Sequence, residues 1–441
     1  MQQSSELKIG FLRFQPGITG LNLTTMLFAA FGTMAMVTFM SFMQPYVLTE
    51  LMHIPEQDQG SLTGNLHAFQ ELIYISLAGF VGAISDRVGR PLVYGAGFFM
   101  LAAGYALYPM ADSIIQLYIV RAIFAVGVVM TAVMLSACIV DYIQEPSRGR
   151  WIGTTSIFNG LGIVTMAGLL ARLPAMYRDI GADNLLAGKY SFWTVAGLCL
   201  IVGLVLFLGL YRKEKTGRES EDLLQQFMQG IRIGLANPRL AIAYGGAFIG
   251  RGDFVVIGAF FSLWLTQVGI EQGMSAAEAL KKAGLLFALI QICALIWAPF
   301  MGFITDRLNR ITAVSIGLAI AGAGYLGMSQ VPDPFGPFMY PAALLLGMGE
   351  TGVIVSVGAL LGEESDSPYR GSIVGVFGLF GGFGILATTF VSGQLFDAIG
   401  RTAPFAAMGI MNLLLMFAAL YVRTNSPTEK SYKQRGSSEN K

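Results

Sequence analysis

Charge is what this chain is short of. Only 12% of its 441 residues are Asp, Glu, Lys or Arg, and 54% are hydrophobic. That is about half the charge of an ordinary soluble domain. A soluble core of this size has no reason to shed so much charge, whereas a chain whose surface meets lipid does. The net charge of +1 gives no electrostatic case for a nucleic-acid or acidic partner. Histidine is scarce too: His53 and His67 are too few for a histidine metal cluster. The three cysteines, Cys138, Cys199 and Cys293, each sit in an apolar run. They show no metal or disulfide spacing and read as small buried hydrophobes. No zinc-protease, serine-elbow or phosphate-loop pattern occurs, so neither an enzyme nor a resident metal or cofactor is expected. The first apolar run is too long for a cleavable signal and lacks a small-residue cleavage site.

Long hydrophobic runs are what the chain does have. Twelve are long enough to cross a bilayer, at about 20 residues each. They lie near 22–46, 60–83, 91–110, 114–142, 151–171, 190–211, 240–266, 283–304, 311–330, 338–362, 372–395 and 403–423, and are called spans one to twelve below. The fold class expected is an all-α membrane protein with twelve transmembrane helices in two six-helix bundles. The bundles would occupy 22–211 and 240–423, with tails at 1–21 and 424–441 and a linker at 212–239. Within the linker, Leu223, Leu224, Phe227, Met228 and Ile231 recur at helical spacing. They read either as an amphipathic helix on the membrane surface or as a solvated linker helix. Of the 28 Lys and Arg, twenty fall on the side of the two tails, six on the other, and Arg121 and Arg251 within spans. Positive charge stays inside, so both termini are expected to be cytoplasmic.

The halves repeat each other. At a shift of 220 residues, Phe80, Gly82, Ile84, Asp86, Arg87, Arg90, Gly97, Ala103, Gly104 and Tyr105 match Phe300, Gly302, Ile304, Asp306, Arg307, Arg310, Gly317, Ala323, Gly324 and Tyr325. At a shift of 222, "PSRGRWIG" (146–153) matches the stretch ending "RGSIVG" (370–375) through Pro146/Pro368, Arg148/Arg370, Gly149/Gly371 and Gly153/Gly375. Parallel six-span halves are the plan of one large transporter class, with the substrate site between the halves at mid-membrane.

The stretch "GAISDRVGR" (82–90) resembles the signature loop of the major facilitator superfamily, Gly-x-x-x-Asp-Arg-x-Gly-Arg. Gly82, Asp86, Arg87, Gly89 and Arg90 match it, while Pro91 replaces the usual final basic residue. The second copy, "GFITDRLNR" (302–310), keeps Asp306, Arg307 and Arg310 but has Asn309 for the inner glycine. A tight turn close to neighbouring backbone favours Gly82 and Gly89. Arginines there anchor the loop inside and offer donors to nearby carboxylates. The resemblance implies transport by alternating access. It also implies that Asp86 latches onto the start of span eleven, near Gly371 and Ser372, when the outer side is open. In the family, spans one, four, seven and ten line the cavity.

Five ionisable residues lie near span centres: Glu71, Arg121, Arg251, Asp253 and Glu350. Each costs about 2.5–3.5 kcal/mol there on the mildest scale, so each needs water or a partner. Arg251 and Asp253 are two residues apart, about 200° around a helix, and cannot face the same place. Asp253, Glu350 and Glu71, in that order, are the proton-coupling candidates. The neutral form of a desolvated acid is favoured, and a carrier must load and unload a proton. Arg121 and Arg251, with Gln44, Ser41, Asn159 and Gln291, are the substrate-binding candidates. The polar groups among them would otherwise bond back to helix carbonyls.

The reading that follows is a secondary active transporter of a small organic solute. H⁺ would be the coupling ion, and two cations near the cavity favour an anionic or zwitterionic cargo. The chain would sit in lipid, in a plasma or bacterial inner membrane, and work as a monomer. Two rivals stand. One is proton-driven efflux of lipophilic compounds, although span five, "IFNGLGIVTMAGLL", lacks the proline of the family's drug-antiporter signature. The other is a non-transporting membrane receptor or assembly protein with the same fold.

Overall fold

The structure is a computed structural model and describes residues 8–10, 12–144, 147–212, 223–365 and 370–425. Among these residues, twelve helices are long and apolar enough to cross a membrane. They run Gly20–Leu51, Glu56–Val88, Arg90–Met110, Ile114–Asp141, Arg148–Asp179 and Asn184–Gly209 in the first half. In the second they run Pro238–Glu271, Ala276–Arg307, Arg310–Ser329, Met339–Glu364, Arg370–Ala398 and Ala403–Asn425. Each coincides with one expected span: eight contain it whole, and spans four, six, nine and ten reach one or two residues past their helices. Several extend beyond the apolar run because polar first and last turns stay helical once the span has nucleated them. Pro146, Pro368, most of residues 212–222 and the tail beyond 425 lie outside the described residues.

The repeat is visible in the packing. Span three packs on spans four and six, and span nine packs on spans ten and twelve. The same glycines make both approaches. A Cβ on Gly104 would meet Phe124 Cβ at 2.8 Å, and one on Gly324 would meet the Leu346 amide nitrogen at 2.7 Å. Residues 104 and 324 are partners under the 220-residue shift, so the helix contact itself was duplicated. Gly324→Val should therefore cost about 1–3 kcal/mol, the usual penalty for overpacking. The check is a clear drop in melting temperature in detergent.

Spans one and seven also share a feature. Each loosens into a five-residue π-helical turn in its C-terminal half, Val47–Leu51 and Ile257–Phe261. In span one, Pro45 precedes the turn and removes one helical donor. Such wide turns interrupt the regular hydrogen-bond ladder and cluster at functional sites.

The chain packs as two compact units whose borders cross the sequence halves. One comprises Met1–Glu219, Val255–Ile292 and Thr389–Arg401, the other Ser220–Phe254, Cys293–Thr388 and Thr402–Lys441. The first unit thus gathers the C-terminal part of span seven, the N-terminal part of span eight and the C-terminal end of span eleven with the first six spans. Gly284 of span eight lies against the carbonyl of Ala167 in span five, and Phe42 packs on Phe287 at 5.4 Å between ring centres. Ahead of span one a small ribbon, strands β1 (Lys8–Ile9) and β2 (Leu12–Arg13), leads into Phe14, which is fully buried edge-on against Trp151. In the second unit the linker helix, Leu223–Ala236, is docked rather than free. Gly230 faces the Ser372 carbonyl, and the Tyr244 hydroxyl donates to the carbonyls of Gly230 and Ile373. Neither the surface helix nor the solvated linker describes this arrangement fully, since one face rests on span eleven.

Candidate functional site

In the first unit, the buried polar side chains gather around Arg121, which is fully buried. Gln44 comes from span one, His67 from span two and Tyr108 from the end of span three. One Arg121 amine nitrogen lies 3.4 Å from Gln44 Oε1, and the other lies 3.3 Å from His67 Nδ1. The Tyr108 hydroxyl donates to the same Gln44 oxygen at 2.6 Å. Phe124, three residues further along span four, lies under the guanidinium at 5.6 Å. Glu71 is one helical turn beyond His67 and only 7% exposed. The donors are not exhausted: Arg121 Nε and Gln44 Nε2 are buried and meet no protein acceptor. A buried guanidinium with a donor to spare suits an anionic group arriving from elsewhere.

The second unit carries the acidic counterpart. Asp253 is fully buried on span seven, and Asn412 of span twelve donates to its two carboxylate oxygens at 3.3 and 3.1 Å. The same amide also donates to the Met408 carbonyl at 3.0 Å. Glu350, 3% exposed on span ten, and the fully buried Tyr325 of span nine are within electrostatic reach of Asp253. Arg251 points elsewhere. It is exposed and lies along the backbone of span eleven at Gly381, where any side chain would collide with it. The geometric expectation that Arg251 and Asp253 part company is met, with the acid inside and the cation out. Span eleven comes this close because Gly384 faces the Phe248 carbonyl and Thr388 faces Gly252.

The signature turn and its second copy keep their charges at hand. Arg90 pairs with Asp86 at 2.8 Å and with Asp141, at the end of span four, at 3.1 Å. Gly89 closes the turn with φ of 102°, a conformation that suits glycine. In the second copy Arg310 pairs with Asp306 at 3.0 Å and Glu363 at 3.5 Å, and Arg307 lies over Phe303. Glu363 and Glu364 also hold Arg239. Asp86 and Arg87 are exposed, as are Asp306, Arg307 and Gly371. Gly82 has open space around it.

The remaining candidates are dispersed. Ser41 is half-buried on span one. Asn159 Oδ1 and Gln291 Nε2 are buried without a protein partner, so both have capacity to spare. Four residues of the clusters were not anticipated: His67, Tyr108, Tyr325 and Asn412. Signals existed for three of them. His67 precedes Glu71 by four residues on one helix face, Tyr325 is the repeat partner of Tyr105, and Asn412 is a lone amide deep in an apolar run.

A sequence profile of the Major Facilitator Superfamily matches residues 25–281 and 244–440. Magnetosome protein MamH of Paramagnetospirillum magneticum is 26% identical over 395 residues, covering 88% of this chain and 89% of its own length. The human chromaffin granule amine transporter is 22% identical over 384 residues, covering 86% of this chain and 68% of itself. Among solved structures, the nucleoside transporter NupG superposes with a TM-score of 0.71 at 13% identity, over 91% of this chain and 99% of that one. At that identity the likeness speaks for the fold.

Proposed function

The chain belongs to the Major Facilitator Superfamily, and on that footing we propose that it is a secondary active transporter of a small organic solute, driven by H⁺. The observation that carries this reading is the pair of buried polar clusters, Arg121 with Gln44 and His67, and Asp253 with Asn412. Gln44, Arg121 and Asp253 lie on spans one, four and seven, which line the cavity in this family, while His67 and Asn412 reach them from spans two and twelve. A fold kept only for assembly would have no use for buried charges of such cost. The spare donor of Arg121 favours an anionic or zwitterionic cargo. Asp253 is the first choice for the proton carrier, Glu350 and Glu71 the next. Both termini face the cytoplasm of a plasma or bacterial inner membrane, and one chain suffices. The test is counterflow of labelled small carboxylates and amino acids into liposomes loaded with the same unlabelled compound.

A second reading, a cationic amine cargo, has one observation in its favour, the similarity to a chromaffin granule amine transporter. Counterflow of amines without carboxylates would select it. In either reading the inner turn should matter for turnover. Asp86→Asn removes the charge that pairs with Arg90, and the aspartate's latching contact with it. Transport is expected to slow about threefold to tenfold, the scale of one exposed-to-buried charge contact at 1 kcal/mol or so, with membrane abundance unchanged. Normal turnover at normal abundance would remove the latch from the account.

A further inference from the structure

The signature turn occurs a third time, on the other side. The end of span eleven reads "GQLFDAIGR" (393–401), which matches "GAISDRVGR" (82–90) at the first Gly, the Asp, the second Gly and the Arg, all at equal spacing. Backbone geometry agrees. Gly400 has φ of 144° and Gly89 has φ of 102°, both in the region that favours glycine, whereas Asn309 of the second inner copy has φ of −60°. At the turn residue itself the third copy thus follows the first more closely than the second does, although the second copy shares five residues with the first and the third shares four. The target is duplicated as well. "GSIVG" (371–375), where the inner aspartate is expected to latch, has its likeness in "GSLTG" (60–64) at the start of span two.

In the first unit this outer pair is engaged. The Asp397 carboxylate accepts from the backbone amides of Gly60 at 2.9 Å and Ser61 at 2.6 Å. Spans two and eleven touch backbone to backbone here. A Cβ on Gly393 would meet the Gly60 carbonyl at 2.7 Å, and one on Gly64 would run into the Thr389 carbonyl. Arg401, the last residue of the turn, bridges Glu56 of span two and Glu271 at the end of span seven, binding Glu271 through two amine nitrogens. Gln267 adds bonds to the Glu56 carbonyl at 3.3 Å and to Gln59 at 3.1 Å.

We propose that residues 393–401 form an outer latch, the mirror of the inner signature turn, which fastens the outer ends of spans two, seven and eleven while the inner side is open. Asp397 closes the latch on the amides of Gly60 and Ser61, and Arg401 clamps it on Glu56 and Glu271. This rests on the alternating-access reading above, yet its test needs no cargo. A carrier poised between two states shifts its populations when contacts made in only one of them are removed. The inner and outer turns would then bias the same equilibrium in opposite directions.

Spin labels report the opening directly. Gln57→Cys and Gln272→Cys, both exposed on the ends of spans two and seven, carry the labels after Cys138, Cys199 and Cys293 are replaced by Ala. With the latch intact, a short label-to-label distance should dominate. Asp397→Ala and Arg401→Gln should each add a longer distance and raise the open-to-closed ratio about tenfold. Arg401→Lys should fall between. Where either variant folds poorly, Glu56→Gln with Glu271→Gln leaves the turn untouched and should shift the ratio the same way. An unchanged distance distribution in variants that melt like the parent would overturn the latch, whether or not the protein transports anything.

Discussion

Asp253→Asn is expected to abolish accumulation driven by a pH gradient while sparing downhill exchange. With one proton per cargo molecule, a gradient of one pH unit supports accumulation of about tenfold. The variant should bring that ratio to one. The substitution is nearly isosteric and keeps an oxygen for the Asn412 amide, which lies 3.1 and 3.3 Å from the native carboxylate. Structure is therefore preserved and only the exchangeable proton is lost. Full burial of the carboxyl, with Glu350 and Tyr325 close by, makes it a group that must be neutralised or solvated at some stage of the cycle. Glu350→Gln is expected to give a smaller version of the same defect, and Glu71→Gln the smallest. Accumulation at parental level in all three variants would assign these acids to structure alone.

The second large effect is expected at Arg121. Arg121→Ala removes the donor that His67 and Gln44 face and the cation over Phe124, all of it buried. A hydrogen bond to a charged group is worth about 1.5–3 kcal/mol, so cargo exchange should fall about tenfold to a hundredfold. Arg121→Lys should recover only part of this. An ammonium is a point donor and cannot reach Gln44 and His67 in one plane while keeping a third donor for the cargo. The comparison has to be made at equal melting temperature, because an emptied polar site also destabilises. Exchange at full rate in the Lys variant would show that planar recognition is not what the guanidinium provides.

The spans were easy to read because hydropathy over some twenty residues averages out local detail, and every expected run coincides with a helix of the structure to within two residues at its ends or lies inside it. The repeat was legible for a related reason. Glycines at helix crossings, such as Gly104 and Gly324, admit no larger side chain and so survive as paired identities. The clusters were half legible. Arg121, Asp253 and Glu350 stand out as isolated charges in apolar runs, but what neutralises or orients them comes from other spans and is usually uncharged. Tyr108 looks like an ordinary polar interruption until the fold sets it beside Gln44, and Asn412, though a lone amide in an apolar run, does not by itself point to Asp253 as its partner. What the linker helix rests on is not legible, because amphipathic spacing says that one face is covered without saying by what. The outer turn at 393–401 was overlooked for a simpler reason. It lacks the arginine after its aspartate, Ala398 standing there, and it sits on the side where the charge distribution puts few cations.

The central claim is that this chain moves a small organic anion or zwitterion across a membrane, and counterflow by the purified protein tests it most directly. Liposomes containing the protein and loaded with an unlabelled pool of carboxylates and amino acids should take up a labelled member of that pool above its equilibrium level, then release it. Arg121→Ala liposomes should do so far more weakly. Uptake no greater than in protein-free liposomes across anions, zwitterions and amines alike, from protein that is folded and correctly inserted, would contradict the account and leave the non-transporting membrane protein as the better description.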